Sequence, residues 1–441
     1  MKITQSIHDQ VKRMLNQPSN IDGRMWVSLS FLSYFGFLFV ANFFVSYQEV
    51  WKKLKVPAMN PSFADLRAIL TGFECTRLGF DVLLENPCDP WDRPVIYPRI
   101  WWKLTGLGLD ESHTVMIGIL LGIIFFFITF MMIGRLNLYE GIIYSLILCS
   151  PPVMLLIERG NLDLIIYAMV FLTLQMAQSQ QRWVRILGYI GLLIPTALKI
   201  FSFFSLTIIL KETRKIFILY FLPLFTLSAI YIYSIKSEIS VAQNYRDIFT
   251  WYSFGYEILL NKLSLIFSLS WILTRKLHLF AIFGLILALA GFAFFIFRKV
   301  VPTVFKDIMN TNSLKKQNFL PSKTILPDSR ALDAFRIGSS IYLGLFLSTI
   351  SFDYKLAFLI FAIPQIIQWI KQDSPQLAIP SSFGLLGILA TFYLSPLAHQ
   401  FLIDELVNWL LWLYFLYGFL LTLPNWMKLS INRLIPEKML V

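Results

Sequence analysis

The chain has 441 residues, 57% of them hydrophobic and only 15% charged, with a mean hydropathy of +0.65. A soluble domain carries roughly 25% charged residues, so composition excludes an ordinary soluble enzyme. The formal charge of +12 does not imply a nucleic-acid partner: basic residues such as Lys12, Arg13, Arg24, Arg135, Arg182, Arg185, Lys211, Arg214, Lys215, Lys371 and Lys428 sit at the ends of apolar segments, as a positive-inside bias requires.

In chain order, residues 1–25 form a polar segment expected on the cytoplasmic side, with no cleaved signal expected. Apolar blocks of a length suited to about 30 Å of hydrocarbon follow. Spans are expected at about 26–47, 113–133, 139–157, 162–178, 216–235, 279–297, 336–351, 356–370, 380–397 and 406–425. The predicted fold is an all-α polytopic helix bundle of about ten full spans plus a broken-helix hairpin. Residues 26–298 form the expected membrane core, with non-cytoplasmic loops at 48–112 and 236–278. A polar cytoplasmic linker follows at 299–335, then C-terminal spans and a basic tail at 336–441.

The stretch 186–210 is interrupted by Pro195 and Lys199 and has basic clusters at both ends. As a hairpin hinged near Pro195–Lys199 it keeps both ends cytoplasmic; as a single kinked helix it separates them. The hairpin is favoured, since broken helices at depth line a protein or water cavity.

Polar residues out of place gather on the non-cytoplasmic side. In the first loop, Ser62 and Asp65 have capping-box spacing. Asp65 is then either a cap or a rigidly held general base for an acceptor hydroxyl. Asp81 and the segment Asn86–Pro94 follow, too rich in proline and tryptophan for helix or disorder, so short surface helices and an ordered loop are expected. Cys75 and Cys88 lie in this loop, either bridged on an oxidising face or free. The corner Glu158-Arg159-Gly160-Asn161-Leu162-Asp163 reads as a turn, yet a turn does not need three charges; Arg159 suits a phosphate and Asn161 a sugar hydroxyl. Lys199, at the hairpin tip, is costly among apolar residues unless it meets an anion. Asp81, Asp353, Lys355 and Asn261 are further candidates to bind sugar or acceptor. No metal-ligand spacing, nucleophile elbow or nucleotide fingerprint stands out, so no metal or cofactor is expected.

The order of these motifs resembles the polytopic glycosyltransferases of the C-type superfamily, in particular glycosyltransferase family 87. The resemblance rests on Asp65-Leu66-Arg67 after the first span, Tyr97-Pro98, Gly160-Asn161, Ala197-Leu198-Lys199-Ile200, and Asn261 with Ser264. The chain departs from the family where Arg99 follows Tyr97-Pro98 instead of a second proline, and where Phe201 and Ser202 follow the hairpin lysine instead of a proline. The resemblance implies an inverting transfer of a mannose-like sugar from a polyprenyl-phosphate donor to a lipid or glycan acceptor. This would take place at the outer face of a bacterial inner membrane, with Asp65 catalytic; Arg159 and Lys199 are inferred from the residues themselves as the donor-phosphate contacts. A transporter or flippase of lipid-linked saccharides is the alternative.

Overall fold

In the computed structural model, the described residues are 2–19, 21–244, 252–268, 329–348, 351–372, 375–398, 402–424 and 426–427. The expected span 279–297, most of the linker 299–335 and the basic tail lie outside them.

Helices dominate the described residues, and a single antiparallel bridge, Ser253–Phe254 on Ser351–Phe352, is the only sheet among them. Five helices are long and apolar enough to cross a membrane: α2 (Gly23–Ala41), α5 (Thr114–Met132, with the turn before it), α11 (Arg214–Ser234), α16 (Pro375–Ala398) and α17 (Ile403–Leu421). They carry exposed Leu32, Phe39, Ile123, Phe127, Leu222 and Leu410 on their outer faces, as lipid contact requires. A sixth span exists if α6 (Leu138–Leu148) and α7 (Pro151–Glu158) are taken together, bent by 52°. The bend falls where Pro151 and Pro152 cannot donate to the preceding turn. The chain is thus an all-α membrane protein, with five or six spans rather than ten shown among the described residues.

Close helix approach is made at glycines. A Cβ on Gly141 would stand 2.5 Å from the Gly23 carbonyl oxygen, so α2 and α6 meet backbone to backbone.

The first long loop is ordered. It holds α3 (Tyr47–Lys53), α4 (Ala64–Arg77) and 3₁₀ turns at Arg99–Leu107 and Glu111–His113. A disulfide joins Cys75, buried in α4, to Cys88.

After α8 (Asp163–Ala177), the segment 182–212 doubles back. It runs as α9 (Arg182–Gly191) and α10 (Leu193–Leu198), breaks at an extended Lys199, and returns as a 3₁₀ helix, Ile200–Lys211. A straight helix from 185 to 212 would separate its ends by roughly 40 Å. Instead Arg185 Nε lies 3.2 Å from Glu212 Oε1, and the Tyr189 hydroxyl donates to the same oxygen at 2.6 Å.

The sequence explains the unusual length of the returning limb. Ser202, Ser205 and Thr207 each donate to the carbonyl three residues back, at 2.8, 2.5 and 2.9 Å, reinforcing the 3₁₀ spacing. The limb packs on α14 (Ser329–Leu347), where Ser340 donates to the Phe204 carbonyl at 2.8 Å and Gly344 leaves room for the Phe204 ring. Asp353–Ala362, a second long 3₁₀ run, packs on the other side of α14 and feeds α15 (Ile363–Lys371). Tyr167, Phe358, Phe361, Tyr342 and Phe346 fill the core between these elements.

Gly188 on α9 tests this arrangement. A Cβ there would stand 2.6 Å from the Ala177 backbone nitrogen and 2.9 Å from the Thr173 carbonyl oxygen, neither of which can move aside. Gly188→Ala is expected to destabilise the protein by about 1–3 kcal/mol through overpacking, read as a lowered melting temperature in detergent. An unchanged melting temperature would show that the outgoing limb is not seated on α8.

Candidate functional site

Four separate segments meet at one place. The first turn of α4 has no side-chain cap: Phe63 is its N-cap, in the left-handed region (φ 57°), and Ser62 forms no capping box with Asp65. This corrects the expectation of a capped start at Ser62. The free amides are satisfied instead by the 158–163 corner. Phe63 N–H donates to the Glu158 carbonyl at 3.1 Å, while Asp65 and Leu66 donate to the Arg159 carbonyl at 3.0 and 3.2 Å. Gly160 (φ 57°) is needed at this contact, since a Cβ would meet Leu66 and Phe63 at 3.1–3.2 Å. The Asp65 side chain, relieved of capping, points to the corner.

Asn161 is the hub. Its Nδ2 donates to Asp65 Oδ2 at 2.6 Å. Its Oδ1 accepts both the Asp163 backbone N–H at 2.9 Å and the Lys199 ammonium at 3.1 Å. Two donors on the oxygen leave only one orientation for the amide, so the nitrogen must face Asp65. Lys199 in turn lies 2.5 Å from Asp163 Oδ1 and 4.7 Å from the centre of the Tyr97 ring. The Tyr354 phenol lies beside this group, close to Asn161, Asp65, Asp163 and Tyr97. Burial pushes the Tyr97 phenol up to about 12, against the pull of the Lys199 ammonium, so Lys199 faces a neutral ring at physiological pH.

The hairpin tip is fixed from outside. The Leu198 carbonyl accepts from the Trp101 indole at 3.1 Å, and the Ala197 carbonyl accepts from the Tyr231 hydroxyl at 2.7 Å. Two of the carbonyls that the break would orphan are thereby satisfied.

Two guanidiniums complete the cluster. Arg159 lies 3.9 Å and Arg93 3.8 Å from Asp65 Oδ1. The side chains of Asp65, Arg93 and Arg159 retain 22%, 29% and 18% exposure, so a ligand can reach them, whereas that of Asp163 retains none.

Of the sequence candidates, Asp65, Arg159, Asn161 and Lys199 are thus brought together. Asp81 instead pairs with Arg99 at 2.8 Å on an exposed part of the loop. Asp353 is buried, its backbone N–H donating to the Tyr252 carbonyl at 2.8 Å, and Lys355 lies 5.3 Å from the Phe201 ring centre. Asn261 accepts, through its carbonyl, from Ser264 within α13 (Tyr256–Ile266). Its neighbour Lys262, unnoticed in the sequence, is buried against Asp404 at 2.7 Å and Glu405 at 2.8 Å. Burial pulls Lys262 down, but Glu405 and Asp404 outweigh it and its pKa ends above the usual lysine value. Arg93, Asp163, Tyr97 and Tyr354 were also not singled out for a role. The usable signals were an arginine inside a dense Pro/Trp/Asp loop and a tyrosine between the two charges at 353 and 355. Among the described residues no group of three or more acidic, histidine or cysteine side chains has metal-binding geometry.

No protein-family model, curated protein or solved structure matches the chain.

The Lys199–Asp163 pair has a measurable consequence. Lys199→Met leaves a buried carboxylate without its cation and is expected to cost about 3–5 kcal/mol. Adding Asp163→Asn removes the stranded charge and should recover much of that loss. Thermal unfolding of both variants checks it; equal losses in the single and double variants would show that the pair is not the source.

Proposed function

We propose that the protein is an inverting glycosyltransferase acting on a polyprenyl-phosphate sugar, mannose-like in kind, as the resemblance to glycosyltransferase family 87 implies. One observation carries the reading: a partly exposed carboxylate, Asp65, oriented by the Asn161 amide at 2.6 Å and flanked by guanidiniums.

The chemistry asks for little more. The acceptor hydroxyl attacks the anomeric carbon, a new glycosidic C–O bond forms, and the bond from that carbon to the phosphate oxygen breaks. Its electron pair leaves with the lipid phosphate, and the hydroxyl proton passes to Asp65. A positioned base contributes about 10²–10⁴-fold to such a step. Preorganised cations stabilise the charge that grows on the phosphate. Arg159 supplies this directly. Lys199, committed to Asp163 and Asn161, contributes its charge at one remove by fixing the amide that holds Asp65.

The positive-inside distribution supports a non-cytoplasmic position for the loops at 48–112 and 236–278. On this reading the site faces outward from a bacterial inner membrane. The segment 182–212 is then a re-entrant hairpin whose two basic ends share the cytoplasmic face. The donor's isoprenoid tail lies among the lipid-facing helices, and the acceptor is a lipid or glycan hydroxyl. A flippase would need alternating access of the site.

Asp65→Asn keeps the shape and the Asn161 contact but removes the base. With radiolabelled polyprenyl-phosphate mannose and membrane acceptors, transfer is expected to fall by about 10²–10⁴-fold while the melting temperature holds. Transfer equal to wild type would remove Asp65 from the mechanism. Movement of the donor across liposomes without any transfer would favour the transporter reading.

A further inference from the structure

Charges do not balance at the start of α17. The buried Lys262 of α13 places its ammonium 2.7 Å from Asp404 Oδ2 and 2.8 Å from Glu405 Oε1. Burial pulls this lysine down, yet the two carboxylates hold its pKa above the usual value, so it supplies one positive charge. Against it stand two carboxylates. A third, Asp353, is buried within electrostatic reach of Glu405, and the buried Tyr342 phenol of α14 lies beside both. Among the described residues, the titratable groups facing Glu405 are thus Lys262, Asp404, Asp353 and Tyr342.

The donors fall unevenly on the two paired carboxylates. Asp404 is met at both oxygens, Oδ2 by Lys262 and Oδ1 by the Glu405 backbone N–H at 3.0 Å. Glu405 is met by Lys262 at Oε1 alone, and its Oε2 is buried with no hydrogen-bond partner. The neighbouring hydroxyls are spent elsewhere: Tyr342 donates to the Asn408 carbonyl and Thr391 to Asn408 Oδ1, each at 3.1 Å. A charged oxygen left bare inside a protein is costly, and such a group neutralises instead. The Glu405 side chain is 0% exposed, which closes it to anything larger than a proton. The cation position beside it is already filled by the Lys262 ammonium.

We propose that Glu405 is a proton-binding site, holding one proton on Oε2 at neutral pH. The proton leaves one ammonium facing one carboxylate, Asp404, and removes the repulsion between Glu405 and Asp353. Oε1 still accepts from Lys262, and Oε2 turns from an orphaned acceptor into a donor. The site then works as a latch between α13 and α17. The segment it holds starts at the bridge of Ser253–Phe254 with Ser351–Phe352, and that bridge leads into Asp353 and Tyr354, beside the Asp65 cluster. This inference does not depend on the reaction proposed above.

Infrared spectra of the full-length protein in detergent test it. At neutral pH the wild type is expected to show the carbonyl stretch of a protonated, buried carboxyl, shifted by deuterium exchange. Glu405→Gln should remove that band, whereas Glu85→Gln, at an exposed position of the first loop, should leave it in place. Asp404→Asn leaves Glu405 alone with Lys262 and should release the proton, so it is a second variant that loses the band. Thermal unfolding gives an independent readout. At low pH the glutamate is protonated folded and unfolded, and wild type and Glu405→Gln should melt alike. Above about pH 4.3 the unfolded glutamate ionises while the folded one keeps its proton. Wild type then loses stability with rising pH, and the melting temperature of Glu405→Gln should move ahead of it until folded Glu405 itself ionises. A band that persists in Glu405→Gln, or a variant that falls behind wild type as pH rises, overturns the proposal. So does a wild-type melting temperature raised by sodium but not by choline and insensitive in Glu405→Gln, which would put a metal ion where the proton is assigned.

Discussion

A lysine at the tip of a hairpin buried among aromatic and aliphatic side chains needs an anion within reach, and Asp163 provides it at 2.5 Å. Removing two charges from water costs several kcal/mol each, recovered only when the geometry is good and the remaining polar atoms find partners. Here the carboxylate stands in the first turn of α8, where the amide dipoles already favour negative charge. The ammonium finds Asn161 as its second partner. The pair forms only if residues 182–212 double back so that the tip reaches α8. The contacts of Arg185 and Tyr189 with Glu212 at the base, and of Trp101 and Tyr231 with the tip carbonyls, hold that shape. One ion pair thereby ties the hairpin, the first loop and the corner together.

The corner passes this order on to Asp65. Its carbonyls receive the amides that α4 would otherwise leave unpaired, which seats the helix start against Glu158 and Arg159. Asn161, its orientation set by Lys199 and the Asp163 amide, then has a single direction in which to donate. A carboxylate held by a locked amide and approached by two guanidiniums is preorganised, which is what catalysis by electrostatics requires. The cost of that order is borne in the hairpin and corner, away from the carboxylate itself.

Much of this was legible in the sequence because membrane constraints are severe. Apolar block length marked α2, α5, α11, α16 and α17, and the basic ends of 182–215 were reason enough to expect a turnback. Asp65, Arg159, Asn161 and Lys199 stood out as polar residues where apolar ones are the rule. Their partners did not. Asp163 looked like part of a turn, and Tyr354 was overshadowed by its charged neighbours. Arg93 lay in a loop whose path no periodicity reveals, since a disulfide and a buried Asp89 fix it rather than a helix or strand. The start of α4 departs from its spacing for a related reason: capping spacing predicts a local partner, but the amides find theirs on a distant corner. Asp81 and Asp353 show the converse, since a charge in a membrane loop can be spent on an exposed pair or on packing.

The cluster of Lys262, Asp404 and Glu405 sharpens the distinction between holding and acting. It uses the same chemistry as the Asp65 site, a cation facing carboxylates at the end of a span, and its distances of 2.7 and 2.8 Å are those of committed ion pairs. Its three side chains are 8%, 2% and 0% exposed, so one ammonium and two carboxylates are closed to solvent. Such a closed group fixes α13 against α17. Around Asp65 the distances to the guanidiniums are nearly 4 Å and the side chains remain part exposed. Charges paired loosely and left within reach of solvent can be met by a ligand, whereas closed ion pairs cannot. That openness, rather than the presence of charge, separates the Asp65 cluster from the closed one.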